Sequence, residues 1–443
     1  MSARSIGNPD DRAYGPFIAA SLLIGIFGGF ALALLLSIDA AEGFSLGTRW
    51  FAVAQAHGHL QLIGFAGLFI AGMALRLAPR FAGQPLAFPR LVPLILVLLA
   101  SAVILRGLSQ PLADSDAMAA VLVVAALLEV AGAACFAVCI LLTERRAALS
   151  REPAALYFAF GSFWLFAQAV LGAWWLIELA CDGDRVLVSD RDRLLVGIQL
   201  FGFVLSFVSG VVSRALPTFF RFRVSPWFSQ LTLGLFQSGV ALFAVAGVIE
   251  VLSDDRRETV ESLSLVVISL GLAATALLTG FWRPAQGLRP AARPMALPLK
   301  AAMLWLLIAG VYLAVVGSQA AVDGDAITFA QLDAVRHILA LGVIFMLIVG
   351  MANLVVPDMA LQRITGRQTL SRGVAFSLAL SLVVVLRTGD EIVGGILAAD
   401  DRYRHWAYAA GIAIVILLVF GWLLLSAVRE RTIILTQVSK TGD

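Results

Sequence analysis

The feature that most constrains this chain is a series of long apolar segments separated by short polar stretches. A helix needs about 20 apolar residues to cross a hydrocarbon core that is ~30 Å thick. Twelve segments meet that demand, at 17–38, 57–77, 91–106, 117–142, 154–178, 194–213, 227–252, 258–280, 301–317, 334–355, 373–387 and 404–427. The sequence therefore predicts an all-α integral membrane protein with twelve transmembrane helices in a single domain spanning residues 1–443.

The low content of charged residues agrees with that prediction and excludes other classes of protein. Charged residues make up 14% of the chain, compared with roughly 25% in soluble domains. This balance excludes a soluble enzyme, a disordered protein and a nucleic-acid binder, and it makes the lipid bilayer the expected partner. The three cysteines show no paired spacing, and no Cys-x-x-Cys-His motif is present. Covalently attached haem is therefore excluded.

The charges of the loops predict how the chain is oriented in the membrane. Lysine and arginine collect in the loops on the side of the N-terminus, whereas aspartate and glutamate collect on the other side, as in Cys181–Arg193. An excess of lysine and arginine marks the cytoplasmic side. We therefore expect a multi-pass protein of a bacterial-type inner (plasma) membrane, with both termini in the cytoplasm.

A glycine–proline pattern recurs three times along the chain, at nearly equal intervals. Glycine and proline lie seven residues apart in each copy, and a second glycine lies eight residues before the first. The copies are Gly72–Pro79, Gly210–Pro217 and Gly350–Pro357. The pattern predicts three pseudo-repeats of four helices, at about 14–145, 152–283 and 298–430. The alternative is that small residues are common wherever transmembrane helices touch.

The chain has only four histidines, and the predicted orientation places all of them at the outer ends of helices. His57 and His59 open predicted helix 2, His337 opens helix 10 and His405 opens helix 12. Histidine within a span is rare and usually faces the interior of the bundle as a functional group. The alternative is an interfacial imidazole that bonds to a carbonyl group or to water.

The spacing of the histidines from the repeat prolines selects one pair. His59 is as far from Pro79 as His337 is from Pro357, and His57 lies two positions further from Pro79. Residues two apart on a helix point about 200° apart. If the three units surround a pseudo-threefold axis, a group held between helices 2 and 10 is reached by His57 and His337 and not by His59. Two neutral imidazoles on facing helices suit the iron of a planar haem.

These residues carry a resemblance to a known superfamily. Ala56-His57-Gly58, followed by the Gly72–Pro79 segment, resembles helix II of haem–copper oxidase subunit I, and His337 with the residues up to Pro357 resembles its helix X. The resemblance implies the twelve-helix fold of that subunit, with a low-spin haem b held by His57 and His337.

The chain also departs from that superfamily. The second histidine of helix X is replaced by Val335, and no histidine lies between His59 and His337. The chain therefore lacks a complete oxygen-reducing site and is not a conventional oxidase. It more closely resembles the NnrS family of haem- and copper-containing membrane proteins linked to nitric oxide, through His57-Gly-His59 and Arg336-His337. It departs from the family pattern at Leu60, where a glutamate is expected.

Membership of that family would imply electron transfer or the detoxification of nitric oxide, with a quinol or a cytochrome as redox partner. Copper is a further candidate cofactor, and His59 with His405 is the candidate pair for a second metal or haem. Arg336, Arg402 and Arg404 are candidates to bind the haem propionates, unless they belong to an ordinary solvated loop. Glu129, midway along predicted helix 4, indicates a proton or ligand path, or else a protonated side chain bonded to a neighbouring helix.

Two other functions fit the same sequence. A twelve-helix secondary transporter would account for the hydropathy pattern and for a carboxylate within the membrane, although a threefold repeat disfavours the two-halves plan of many transporters. A non-catalytic subunit that handles haem or copper during the assembly of another complex is the third hypothesis.

Overall fold

The computed structural model describes residues 14–146, 152–253, 258–359 and 370–440, and this part of the chain contains helices and no strands. The membrane-length helices, numbered α1 to α12 in chain order, are Gly15–Ala41, Arg49–Ala82, Pro89–Leu112, Asp116–Arg146, Pro153–Asp182, Ser189–Phe219, Pro226–Ser253, Glu258–Leu278, Pro290–Asp323, Phe329–Leu354, Leu370–Ile392 and Ala399–Ser426. The predicted fold class, an all-α protein with twelve transmembrane helices, is confirmed.

Three helices form the centre of the bundle. The most apolar windows of α2 and α6 are each 89% buried and that of α10 is 83% buried, whereas those of the other nine helices are 28–50% buried. A helix that is apolar on all sides is stable in a core or in lipid. The nine less buried helices therefore surround α2, α6 and α10 and face the lipid.

Each central helix contains a π-helical segment, at Leu60–Gly67 in α2, Ile198–Val204 in α6 and Ile338–Phe345 in α10. All three segments begin at the same distance before the proline of their copy of the repeat pattern. π-Helical turns are rare and often lie at functional sites. Their placement follows the glycine–proline pattern; the three units and their boundaries stay a prediction. A fourth π-helical segment, Gly25–Phe30, interrupts α1.

The upstream glycine of each repeat lies where the preceding helix packs closely. A Cβ atom at any of the three positions would come within 3.0 Å of a bulky side chain, so a larger residue would force the helices apart. The pairs are Gly64 with Ile24, Gly202 with Trp164 and Gly342 with Trp305.

The helices extend beyond the predicted apolar segments, and this corrects the position of the histidines. Helix α2 begins at Arg49 and α10 at Phe329, so His57 and His337 each lie about two turns inside their helix and do not open it. Hydropathy missed the first turns because they carry polar residues. One of these, Gln55, is satisfied by hydrogen bonds to other parts of the protein and lets the helix continue.

Candidate functional site

His57 is held by helix α1. Its Nδ1 atom lies 2.9 Å from the carbonyl oxygen of Gly29. Gly29 belongs to the π-helical segment of α1, where the regular α-helical hydrogen-bond ladder is interrupted. A carbonyl oxygen only accepts hydrogen bonds, so Nδ1 of His57 carries the proton and Nε2 keeps its lone pair.

His337 has the same arrangement on helix α10. Its Nδ1 atom lies 2.9 Å from the carbonyl oxygen of Asp333, one turn earlier in the helix, so its Nε2 atom also keeps a lone pair. The side chain retains 24% of its surface although its helix is central. His57 is likewise only half-buried, and the two imidazoles lie within electrostatic range of each other. The two histidines that the spacing selected thus lie on two of the three central helices, and each keeps a lone pair on Nε2.

His59 faces the opposite side of α2, as the two-residue spacing predicts. Its Nδ1 atom lies 3.1 Å from Nη1 of Arg106 on α3, and its Nε2 atom lies 3.2 Å from Oε2 of Glu129 on α4. The residue is only 2% exposed. Both ring nitrogens of His59 thus face protein side chains.

Two glutamines extend this buried cluster. The Nε2 atom of Gln168 on α5 donates to Oε1 of Glu129 at 2.9 Å, and Nε2 of Gln199 on α6 donates to Oε1 of Gln168 at 3.0 Å. Gln199 also lies 3.4 Å from Nδ1 of His59. Five neighbouring helices, α2 to α6, therefore meet at one polar network. Glu129 accepts from Gln168 on a neighbouring helix, and both predicted interpretations, a proton or ligand path or a protonated side chain bonded to a neighbour, stay predictions.

The network continues to the loop between α5 and α6. The Nε atom of Arg106 donates to Gln110 at 3.1 Å, and Gln110 donates to Gln55 at 3.0 Å. Gln55 then exchanges two hydrogen bonds with the backbone of Leu187, at 2.9 and 3.0 Å, in the loop between α5 and α6. A continuous chain of polar contacts therefore joins Glu129 to the loop between α5 and α6. Sequence reasoning missed its glutamines because isolated glutamines in apolar helices carry no recognisable motif.

The three arginines predicted to bind propionates lie in different surroundings. Arg402 pairs with Asp390 at 2.6 Å. Arg404 pairs with Asp401 at 3.4 Å and is 61% exposed. Arg336 lies within electrostatic range of Asp192. Their role toward a haem stays a prediction.

Sequence reasoning missed an arginine that is closer to the histidine pair. Nη2 of Arg387 on α11 lies 2.6 Å from Oδ2 of Asp333, the residue whose carbonyl holds His337. Its guanidinium group also stacks on the ring of Trp406 on α12, at 3.7 Å from the centroid. The only signal in the sequence is a lone arginine near the end of an apolar helix.

His405 lies on α12, beside an aromatic residue of the same helix. Its ring lies 6.5 Å from that of Tyr408, one turn later on α12. Among the described residues, no group of three or more histidine, cysteine, aspartate or glutamate side chains is arranged to hold a metal ion. The second metal or haem at His59 and His405 therefore stays a prediction.

The backbone beside His57 is open on one side. A Cβ atom at Gly58 would meet nothing within 4 Å, whereas Gly64 and Gly67 are packed against neighbouring side chains. Gly58 is therefore the one of these three glycines that leaves room for a flat group against helix α2.

The fold and its central helices define the class of protein. The chain is similar to a solved structure described as a cryo-EM structure of a heme-copper terminal oxidase dimer, with a TM-score of 0.66 and 14% identity, covering 96% of this chain and 84% of that one. The protein is therefore a twelve-helix membrane protein with a heme–copper oxidase-like fold. The model of the NnrS protein family matches residues 22–431, so the chain belongs to that family. No curated protein matched the chain.

Proposed function

We propose that this protein binds one b-type haem between α2 and α10, with His57 and His337 as the two axial ligands. The observation that carries the proposal is the matched state of the two imidazoles. Each donates from Nδ1 to a carbonyl oxygen at 2.9 Å and keeps the lone pair of Nε2 for a metal.

The chemistry of this donor pair fits a haem iron. Histidines that bind metals usually donate their other ring N–H to a carbonyl or carboxylate, which fixes the tautomer and the orientation of the ring. Both rings come from the buried central helices, and Gly58 leaves the backbone open beside one of them. The description of the solved structure with a similar fold, a heme-copper terminal oxidase dimer, also names heme.

The histidine pair favours electron transfer over the binding of a small molecule to the same iron. A haem b held by both histidines would supply one-electron redox chemistry. His57 and His337 would hold and orient the group. Membership of the NnrS family supports a role in the response to nitric oxide or in its detoxification, with a quinol or a cytochrome as electron donor. Copper at His59 and His405 is the remaining part of the cofactor prediction.

Absorption spectroscopy tests the haem. We expect the purified protein, expressed with a haem supply, to show a Soret band and the sharp reduced-minus-oxidised bands of a bis-histidine haem b. His57→Ala and His337→Ala should each lose most of the band, because one axial ligand is missing. In His57→Gly and His337→Gly, added imidazole should restore it. Wild-type protein without a Soret band, or alanine variants that keep it, would refute the proposal.

Activity measurements separate the proposed role from the two alternatives. Membranes that contain the wild-type protein and a reductant should consume nitric oxide faster than membranes with His337→Ala. Haem-free protein that drives substrate uptake into liposomes would favour the transporter instead. Haem-containing protein that consumes no nitric oxide and co-purifies with an oxidase or reductase would favour the assembly subunit.

A further inference from the structure

The two proposed haem ligands differ in what supports them. His57 donates to a neutral carbonyl of Gly29. His337 also donates to a backbone carbonyl, but its Nδ1 atom lies in addition 3.3 Å from the carboxylate oxygen Oδ1 of Asp333. Of the two proposed ligands, only His337 therefore has an anionic group beside Nδ1, the ring nitrogen that does not carry the free lone pair.

A buried arginine balances that carboxylate. The other oxygen of Asp333 lies 2.6 Å from Nη2 of Arg387, and Nη1 of Arg387 lies 3.4 Å from Glu391. The stacking of the guanidinium on Trp406 fixes its plane. The side chains of Asp333, Arg387 and Glu391 are at most 13% exposed. Charges act over longer distances in such surroundings than in water, so neither member of the pair is screened from His337.

We infer that Asp333 and Arg387 are positioning residues that set the reduction potential of the haem through His337, an inference that rests on the proposed function. An anionic carboxylate beside the N–H of a ligating histidine raises the donor strength of the ring. Stronger donation favours the oxidised, more positive iron and lowers the potential. Arg387 pairs with the same carboxylate, and its positive charge weakens this effect. The two residues therefore act in opposite directions.

The opposite signs make the inference testable by spectroelectrochemistry on the haem-loaded protein. Asp333→Asn should raise the midpoint potential, because the anion is lost and the Arg387 cation remains. Arg387→Gln should lower it, because Asp333 and Glu391 are left without their cation. We expect each change to alter the ferrous-to-ferric ratio at a fixed potential by about tenfold, which corresponds to ~59 mV for a one-electron couple.

Three further variants guard against a merely structural effect. Arg387→Lys keeps the cation without the planar stacking geometry and should stay near the wild-type potential. Glu178 on α5 and Arg191 on α6 form a separate ion pair, 3.0 Å long. Glu178→Gln and Arg191→Gln each break this pair and should leave the potential of the haem unchanged. Haem content measured on every variant shows whether the site has remained intact.

The outcomes separate this inference from the proposed function. If the wild-type protein holds no haem, or holds it independently of His337, the proposed function fails and the inference fails with it. If the haem depends on His57 and His337 but Asp333→Asn and Arg387→Gln leave its potential unchanged, or shift it in the same direction, the inference alone is overturned.

Discussion

The imidazole of His59 connects a buried cation to a buried anion, with its Nε2 atom 3.2 Å from Oε2 of Glu129 and its Nδ1 atom 3.1 Å from Nη1 of Arg106. A guanidinium only donates hydrogen bonds, so Nδ1 of His59 accepts and Nε2 carries the proton. Nε2 lies at ion-pair distance from Glu129 but makes no hydrogen bond of regular geometry with it. Charged groups within a membrane are expensive unless they are paired inside the bundle. This bridge satisfies Arg106 and Glu129 at once and explains why two charged residues are tolerated at this depth.

Glu129→Ala should destabilise the protein strongly. The substitution removes the carboxylate that faces Gln168 and His59 and leaves Arg106 without its nearby anion. Removing one partner of a buried pair costs about 3–5 kcal/mol. Glu129→Gln keeps an oxygen for the same donors and should lose less. Thermal unfolding in detergent shows which of the two variants is less stable. Glu178→Gln is the matched control, because this carboxylate pairs with Arg191 at the surface, where ion pairs contribute about 0–1 kcal/mol. Equal unfolding temperatures for Glu129→Ala and Glu178→Gln would contradict the role of the network.

The parts of the structure that the sequence predicted are those that depend on local periodicity. Apolar length located all twelve helices, because each span is a continuous run of chain that must match the bilayer thickness. The two-residue offset between His57 and His59 placed the rings on opposite sides of α2, because helical geometry alone sets that angle.

The parts that escaped prediction join residues far apart in the chain. The Arg387–Asp333 pair spans 54 positions and the Gln55–Leu187 pair spans 132. Such contacts depend on how the helices pack, and a single arginine or glutamine in an apolar run carries no information about its partner. The same limit explains why the helix starts were placed too late, since Gln55 is tolerated in α2 only because its distant partners satisfy it.

Two glycines on helix α2 should respond in opposite ways to the same substitution. A Cβ atom at Gly58 would meet nothing within 4 Å, so Gly58→Ala should stabilise the helix of the haem-free protein by about 0.5–1 kcal/mol. A Cβ atom at Gly64 would lie 2.5 Å from Ile24 and 2.9 Å from Val103, so Gly64→Ala should cost about 1–3 kcal/mol through overpacking. Unfolding temperatures of the two variants, measured side by side, check this. A lower value for Gly58→Ala than for Gly64→Ala would contradict the packing described for α2.

Gln55→Leu should loosen the loop between α5 and α6. The backbone N–H of Leu187 donates to the side chain of Gln55 at 3.0 Å, and a hydrogen bond of this kind contributes about 0.5–1.5 kcal/mol. Amide hydrogen exchange at Leu187 should therefore accelerate several-fold, up to about tenfold. The amide of Leu46 is the internal control, because Leu46 lies in a different loop and its N–H donates to Asp39. Unchanged exchange at Leu187, or equal acceleration at Leu46, would show that Gln55 does not hold this loop.

The native cysteines allow a direct test of the predicted orientation. Cys181 is exposed at the end of α5, whereas Cys139 is buried and Cys135 is half-buried in α4. If the acidic loops face outward, as the distribution of lysine and arginine predicts, a membrane-impermeant maleimide should label intact cells at Cys181, and Cys181→Ser should abolish the signal.

The matched control places a cysteine on the opposite side of the membrane. Ser225, exposed in the loop between α6 and α7, should lie in the cytoplasm, because one membrane crossing, α6, separates it from Cys181. Ser225→Cys in the Cys181→Ser background should therefore be labelled only after the cells are lysed. Labelling of Ser225→Cys in intact cells, together with protection of Cys181, would reverse the orientation. His57 and His337 would then lie toward the cytoplasm, and the electron donor of the proposed haem would have to be sought there.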